Sequence, residues 1–215
     1  YTIRNSTIFA AHAGAAWENG KHVDHPWSAT GIWTEGNYGP GLIENNMIWS
    51  CVASGIGVLD SRNVTIRDNT IADCGAGIEF RDLNRDSAPE LLRKRNIQNI
   101  TVTGNQIKSW RDKYAIVTSV GEFRRGDKPA DYAVTFSQNI FDPGSNKGLF
   151  HWIHTDADTI ASAGHSLGID ASNSVGEIQF HNPLFQTFST GPDLLQSTDK
   201  DRFIQVDATA AEAID

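Results

Sequence analysis

Apolar residues recur in pairs along this chain, the two members five positions apart, with a polar residue between them. The six units are Ile3/Ile8, Ile43/Ile48, Ile66/Ile71, Val102/Ile107, Phe136/Phe141 and Phe180/Phe185, and the residues three places into them are Ser6, Asn46, Asn69, Asn105, Asn139 and Pro183. Four of these six intervening residues are therefore Asn. Such self-similarity predicts a solenoid in which each unit contributes one coil.

The repeated Asn has a physical use at the corner of a coil. Asn tolerates the left-handed backbone conformation of a sharp bend, and its side-chain amide can bond the same amide in the coils above and below. The spacing therefore predicts an asparagine ladder, with Asn69 and Asn105 buried at tight bends and bonded to neighbouring coils.

Alternating apolar and polar residues flank the Asn positions, as in residues 64–67 and 100–103, and predict strands with one face in a core. A third strand in each unit opens with a small residue. These openings are Gly31, Gly55, Gly77, Ala115 and Gly148. Three strands per coil with Asn at the corner resembles the right-handed parallel β-helix of the pectate-lyase-like superfamily, over nearly the whole chain. The resemblance implies an all-β solenoid of about five to six rungs.

The two ends carry different expectations. Tyr1 leads directly into a strand, so we expect residues 1–215 to form one β-helix domain that is the C-terminal part of a longer β-helix. Its N-terminal cap is then missing, and upstream rungs or self-association would cover the first rung. Residues 182–185 with 213–215 resemble the closing segment of many secreted bacterial β-helix proteins, which implies a secreted, extracellular protein closed by residues 186–215.

Cys51 and Cys74 occupy equivalent positions, three residues after the second apolar residue of their units. They should therefore stack on neighbouring rungs about 4.8 Å apart. A ladder of reduced, inward-facing thiols is the simpler interpretation, although that separation also permits a disulfide.

The composition limits the classes of molecule that the protein is expected to bind. The formal net charge of −8 over 215 residues argues against nucleic acid, and no apolar run of about 18 residues predicts a membrane span. Six Trp residues suit a scaffold that meets sugars. The expected partner is therefore an oligosaccharide or polysaccharide.

In the superfamily, the substrate groove runs along the outer face of the strand that opens with the small residue. Strand alternation places Trp33, Glu35, Gly57, Leu59, Glu79, Arg81, Val117 and Ser119 on that face. Asp60 and Asp82 follow at matching positions. The sequence therefore predicts a surface of carboxylates, one arginine and one tryptophan over three successive rungs.

Hydrolysis of a glycosidic bond is the first function that this surface predicts. It needs two carboxyl groups, about 5 Å apart for retention and roughly 6.5–9.5 Å apart for inversion. Asp60 with Asp82 on adjacent rungs matches the first distance, and Glu35 with Glu79 on alternate rungs lies near the upper limit of the second. Gly57 would leave room for a sugar ring.

Trp33 would offer an apolar face to that ring. Residues 31–35, Gly-Ile-Trp-Thr-Glu, are similar to the Gly-Ile-Trp-x-Asp segment of β-helix xylosidases, in which the carboxylate is the nucleophile. The chain departs from that pattern with Glu35 in place of Asp and Leu59 where the acid Glu would stand. The simpler alternative is that Asp60 and Asp82 cap turns and that Glu79 and Arg81 form an exposed ion pair.

A calcium-dependent polysaccharide lyase is the second function. In the superfamily, calcium bound by carboxylates holds a uronate-containing substrate, and an Arg or Lys removes the proton next to the uronate carboxylate. Asp60, Glu79 and Asp82 could supply the oxygen ligands, and Arg81 the base or the carboxylate clamp. The cofactor would be Ca²⁺ for a lyase and none for a hydrolase.

Loops supply further candidate binding residues. Residues 10–30 contain Trp17 and Trp27 as sugar platforms, and His22 and His25 as acid–base or metal-binding groups. Residues 120–131 carry Arg124 and Arg125, which would form a basic rim. No role is assigned to His151, His154 or His165. The third functional alternative, a tailspike or adhesin fragment that only binds glycan, fits the same surface.

Overall fold

The computed structural model describes residues 1–9, 16–18, 21–23, 30–82, 97–108, 110–118, 127–144 and 148–180, with the backbone alone in 16–18 and 21–23. The chain divides into two units, Tyr1–Gln179 and Phe180–Asp215. The first unit contains all of the strands and helices given below. Of the second the structure describes only Phe180, so the predicted closing segment 186–215 lies outside the described residues.

Three sheets wrap around one core, and their strands pair in parallel from rung to rung. Sheet 1 contains β1 (Thr2–Arg4), β6 (Gly41–Glu44), β9 (Arg62–Arg67), β12 (Gln98–Thr103) and β15 (Val134–Ser137). Sheet 2 contains β2 (Thr7–Phe9), β7 (Met47–Trp49), β10 (Thr70–Ala72), β13 (Gln106–Lys108), β16 (Ile140–Asp142) and β19 (Ser174–Val175). Sheet 3 contains β5 (Ile32–Glu35), β8 (Ser54–Leu59), β11 (Ala76–Arg81), β14 (Tyr114–Thr118), β17 (Gly148–Trp152) and the antiparallel β18 (Thr155–Ala157). This is the predicted parallel β-helix.

The apolar pairs of the repeat form two inward-facing rows. Ile43, Ile66, Val102 and Phe136 stack in sheet 1, and Ile48, Ile71, Ile107 and Phe141 stack in sheet 2, all at most 2% exposed. A third row, Ile32, Ile56, Ile78, Ile116 and Phe150, closes the core from sheet 3. The five-residue spacing arises because the chain turns the corner between sheets 1 and 2 within one short bend.

The asparagine ladder is confirmed at that corner. Asn69 donates from Nδ2 to Asn105 Oδ1 at 2.9 Å and to Ile43 O at 3.0 Å, and its own Oδ1 accepts from Asn46 Nδ2 at 2.9 Å. Asn105 and Asn139 repeat the arrangement. Because each amide donates and accepts across rungs, these buried side chains satisfy backbone groups that the bend leaves unpaired.

One detail of the predicted ladder is wrong. The left-handed conformation belongs to the residue before the ladder Asn: Asn45 (φ 51°), Asp68 (φ 54°), Gly104 (φ 66°) and Gln138 (φ 56°). The ladder Asn must turn its side chain into the corner, so the bend falls on its outward-facing neighbour. The ladder also contains a fifth Asn that the sequence pattern did not identify, Asn173, which accepts from Asn139 at 2.9 Å. Pro183, which the sequence pattern placed in the sixth unit, lies outside the described residues.

Three strands of sheet 3 have a glycine at or near their start, and the packing against sheet 2 explains it. A β-carbon added to Gly31, Gly55 or Gly77 would lie 2.4–2.6 Å from the γ2 methyl group of Ile48, Ile71 or Ile107, respectively. Such distances are far inside van der Waals contact, so a larger residue would force the isoleucine row apart. The small residue therefore preserves the close packing between sheets 2 and 3.

The two ends of the described core differ. Ile3 and Ile8 in the first rung are only partly buried. The last rung is covered by helix α1 (Ile160–Leu167), which Thr159 caps by accepting from the Ser162 N–H at 3.0 Å. Ala163 and Leu167 of α1 are at most 1% exposed against the core. This helix, and the 3₁₀ helix Pro129–Tyr132 before β15, were not predicted from the sequence.

The two cysteines are buried and are not joined by a disulfide, as the thiol interpretation predicts. Cys51 donates to Trp49 O at 3.5 Å and Cys74 to Ala72 O at 3.3 Å. Burial raises the pKa of the Cys74 thiol well above its ordinary value, and neighbouring Cys51 raises it further. Both residues therefore contribute to the core as small apolar side chains.

Candidate functional site

The outer face of sheet 3 carries the charged residues that strand alternation predicts. Trp33, Gly57, Glu79, Val117 and His151 align across five strands, and Glu35, Leu59 and Arg81 form a second row. We call this surface the sheet 3 face. The register of Trp33, Glu35, Glu79 and Arg81 agrees with the prediction. His151 joins them because Val117 pairs with it, a register that the weak pattern around residues 148–152 did not reveal.

The predicted open space over Gly57 does not exist. A β-carbon on Gly57 would lie 2.5 Å from Cε3 of Trp33, so the indole ring lies directly over this glycine. The Trp33 Nε1–H donates to Glu35 Oε2 at 3.0 Å, and the Arg81 guanidinium lies 5.5 Å from the centre of the ring. Gly57 therefore accommodates the tryptophan, which is half-buried.

Glu79 and Arg81 form the central charged pair of the face. Arg81 donates from Nε to Glu79 Oε1 at 2.8 Å, and its Nη2 lies 2.7 Å from the same oxygen. Ser54 Oγ donates to Glu79 Oε2 at 3.4 Å. The side chain of Glu79 is 8% exposed and that of Arg81 is 21% exposed. The pair is therefore largely buried, whereas the alternative reading from the sequence made it an exposed surface pair.

Asp60 and Asp82 are adjacent in register but lie beneath the surface. Each is only 4% exposed. Asp60 has a left-handed backbone (φ 44°), and its N–H donates to Arg81 O at 3.0 Å. Within the part of the chain that the structure describes, no three His, Cys, Asp or Glu side chains form a group that could hold a metal ion. Asp60, Glu79 and Asp82 therefore do not by themselves make a calcium cage.

A second cluster surrounds His151 at the other end of the row. His151 and Asp156 are direct cross-strand partners, and Nδ1 lies 2.6 Å from Asp156 Oδ1. The Tyr114 ring stacks on the imidazole, with centroids 5.3 Å apart, and Lys113 donates to Asp156 Oδ2 at 3.4 Å. Imidazole, carboxylate, phenol and ammonium groups thus meet in one place.

The charge environment of Asp156 follows from these neighbours. The nearby Tyr114 hydroxyl is the largest cause that lowers the pKa of Asp156; partial burial opposes it, and His151 and Lys113 lower it further. The hydroxyl is buried and makes no hydrogen bond of good geometry. Burial raises its pKa, and both Asp156 and Lys113 lie close enough to affect that pKa.

One more carboxyl group borders this surface. Asp112 precedes β14, and its N–H donates to Gly75 O at 2.8 Å. Partial burial raises the pKa of Asp112, Arg111 lowers it, and the negative charge of Glu79 raises it again. Asp112 was not singled out from the sequence, because only pairing between rungs brings it near Glu79.

The loop candidates are only partly described. Trp17 and His22 are paired across a backbone hairpin of β3 (Ala16–Glu18) and β4 (Lys21–Val23), and their side chains are not described. The remaining predicted binding residues, Trp27, His25, Arg124 and Arg125, lie outside the described residues.

Three parallel sheets, an internal asparagine ladder and a charged outer face define the class of the protein as a parallel β-helix. The chain matches the family described as "Right handed beta helix region" over residues 1–123, more than half of its length, and belongs to that family. Searches of curated proteins and of solved structures found no match. No helix in the described ranges is long and apolar enough to cross a membrane.

Proposed function

We propose that this chain is a carbohydrate-active β-helix domain that binds an oligosaccharide or polysaccharide along the sheet 3 face and hydrolyses a glycosidic bond there. Glu79 supplies one of the two reacting groups, and the sequence points to Glu35 as its partner. The protein is secreted in this proposal and acts outside the cell.

The buried pair of Glu79 and Arg81 is the observation that carries the proposal. Moving two charges out of water costs several kcal/mol per ion, and their mutual attraction must offset that cost. A buried ion pair is therefore weak evidence for a role in stability. Equivalent positions on neighbouring strands hold Gly57 and Val117. The fold therefore does not require a charge at this row, whereas a fixed carboxylate suits catalysis.

Trp33 and Glu35 support sugar binding beside that pair. The half-buried indole presents apolar surface on which the C–H groups of a pyranose ring can pack. Glu35 is exposed and hydrogen-bonded to the same indole, so its carboxylate has a defined position at the edge of the platform. Trp33 and Arg81 lie between Glu35 and Glu79, and the sugar would bind above them.

The lyase alternative has less support from the contacts of Arg81. Proton abstraction by arginine needs a neutral guanidine, yet two nitrogens of Arg81 face the carboxylate of Glu79, which favours the charged form. A calcium requirement and the appearance of unsaturated uronates would nevertheless be decisive for a lyase. Binding without cleavage would identify a glycan-binding domain.

The test is incubation with a panel of neutral and acidic polysaccharides, with reducing ends and absorbance of unsaturated uronates followed together, with and without chelator. We expect reducing ends alone, unaffected by chelator. Glu79→Gln should reduce turnover by about 10²–10⁴-fold, and Glu35→Gln should do the same if Glu35 is the second reacting group.

Glu44→Gln is the matched control, because Glu44 is also paired with an arginine, Arg67 at 2.6 Å, but lies on sheet 1. Its turnover should equal that of the wild type. Unsaturated products, or activity that survives Glu79→Gln, would contradict the proposal.

A further inference from the structure

The His151 cluster has features that the proposed hydrolysis leaves unexplained. Asp156 orients the imidazole through Nδ1 at 2.6 Å, and the structure shows no hydrogen bond to Nε2 from a described residue. The imidazole is 33% exposed. One nitrogen of the ring is thus held by a carboxylate while the other accepts or donates no hydrogen bond within the described residues, the arrangement that proton transfer requires.

The strands around His151 make this arrangement rigid. Asp156 is held opposite it by the antiparallel pairing of β17 and β18. Thr118 Oγ1 bonds both the His151 carbonyl, at 3.3 Å, and the Ile153 N–H, at 2.8 Å, which fixes the start of the turn between these strands. His151 is therefore positioned by regular structure on one side and by a bonded turn on the other.

Tyr114 supplies a second, independent sign of a ligand. The residue is 7% exposed and its ring covers Gly148. Its buried hydroxyl makes no hydrogen bond of good geometry, although Asp156 and Lys113 lie close to it. A buried hydroxyl without a well-formed hydrogen bond is unfavourable. A sugar hydroxyl bound beside the imidazole would satisfy it.

The register also gives the separation of His151 from Glu79. The two residues lie in the same outward row on alternate strands, with half-buried Val117 between them. Two strand spacings amount to about 9.6 Å. That separation is close to the roughly 6.5–9.5 Å that inverting glycosidases place between their two groups to admit a water molecule.

We propose that His151, positioned by Asp156, is the general acid of the glycosidic cleavage, acting on a sugar bound over Val117 while Glu79 serves as the base. This inference rests on the proposed function and replaces Glu35 by His151 as the partner of Glu79. Glu79 suits the base because it is paired with the cation of Arg81. Asp156 stabilises the positive charge of the protonated imidazole.

The reaction balances as an inverting hydrolysis. Water gives a proton to the Glu79 carboxylate as its oxygen bonds to the anomeric carbon. The bond from that carbon to the glycosidic oxygen breaks, and the leaving oxygen takes the proton from His151 Nε2. Exchange of one proton with solvent then restores both groups, so the net reaction consumes one water molecule.

The test uses His151→Asn and Asp156→Asn, with His165→Gln as control because His165 is an exposed residue of α1. On a natural linkage, His151→Asn should lose about 10²–10⁴-fold in turnover. An aryl glycoside with an acidic phenol leaving group needs no protonation, so its loss should be far smaller.

The leaving-group dependence also tests Asp156, because a purely structural role would impair both substrates equally. Asp156→Asn removes the carboxylate that holds Nδ1 of His151 at 2.6 Å. We expect it to reduce turnover on the natural linkage more than on the aryl glycoside. The other groups near the ring, Tyr114 and Lys113, are unchanged in these variants.

The outcomes separate the two proposals. Cleavage that is equally impaired on both leaving groups, or not impaired in His151→Asn, overturns the role of His151 and leaves the proposed hydrolysis standing. No cleavage of any substrate by the wild type overturns both. Urea unfolding of each variant distinguishes a lost fold from a lost acid, and products of retained anomeric configuration would also contradict the proposal.

Discussion

The asparagine ladder allows a quantitative prediction for Asn69→Leu. Leucine has nearly the shape of Asn but no hydrogen-bonding group. The Asn69 side chain accepts from the Asn46 N–H at 3.0 Å and donates to Ile43 O at 3.0 Å, and it is 0% exposed. The substitution leaves these two backbone groups buried without partners at about 1–3 kcal/mol each. We expect the free energy of unfolding to fall by about 2–6 kcal/mol.

The measurement is equilibrium unfolding in urea, with Asn99→Gly as control. Asn99 also has a left-handed backbone (φ 55°), which glycine accepts, but its hydrogen bond to Asn63 is exposed. Loss of this exposed hydrogen bond should change the free energy of unfolding by no more than about 0.5 kcal/mol. Hydrogen exchange adds a local readout, because the Asn46 amide should lose protection in Asn69→Leu. A stability loss equal to that of the control would refute the ladder argument.

Two further predictions concern burial and charge. The Cys51 and Cys74 thiols should not react with a thiol reagent in the folded protein and should both react after unfolding, because burial raises the pKa of Cys74 and excludes the reagent; rapid labelling of folded protein would contradict this. Burial alone would raise the pKa of Asp142, but the Ile178 N–H and Lys108 lower it. A carboxyl group whose pKa is lower in the folded than in the unfolded state stabilises the folded protein at neutral pH. This contribution disappears as pH falls through the folded-state pKa. Asp142→Ala should therefore cost about 1.5–3 kcal/mol at pH 7 and much less near pH 2; a pH-independent difference in urea unfolding would be contrary evidence.

The sheet 3 face shows how much of the candidate site could be predicted from the residue pattern. Strand alternation alone placed Trp33, Glu35, Glu79 and Arg81 on one outer face, because side chains of a strand alternate with a period of two. It could not foresee that Trp33 lies over Gly57. That contact joins neighbouring rungs, and the direction in which a long side chain leans depends on its rotamer and on the residues across the strand.

The surroundings of His151, in contrast, could not be predicted from the residue pattern. Its contacts are with Asp156, reached through an antiparallel turn that breaks the parallel repeat, and with Tyr114, which lies one strand away. The repeat contains no signal for either contact. The turn also uses left-handed backbone at Ile153 and His154, a conformation that the β-branched Ile153 disfavours, so residue preferences gave no indication of a turn there.

The sequence by itself determined the β-helix, the inward rows and the ladder, because each depends on a local period repeated from rung to rung, so that identical neighbours reinforce it. The tertiary structure alone decided which residue of the bend is left-handed, that Asn173 continues the ladder, and that Glu79 is buried against Arg81. It also decided that His151 shares a row with Glu79. These properties depend on register and on contacts between distant residues, where one residue of slip would exchange the inner and outer faces.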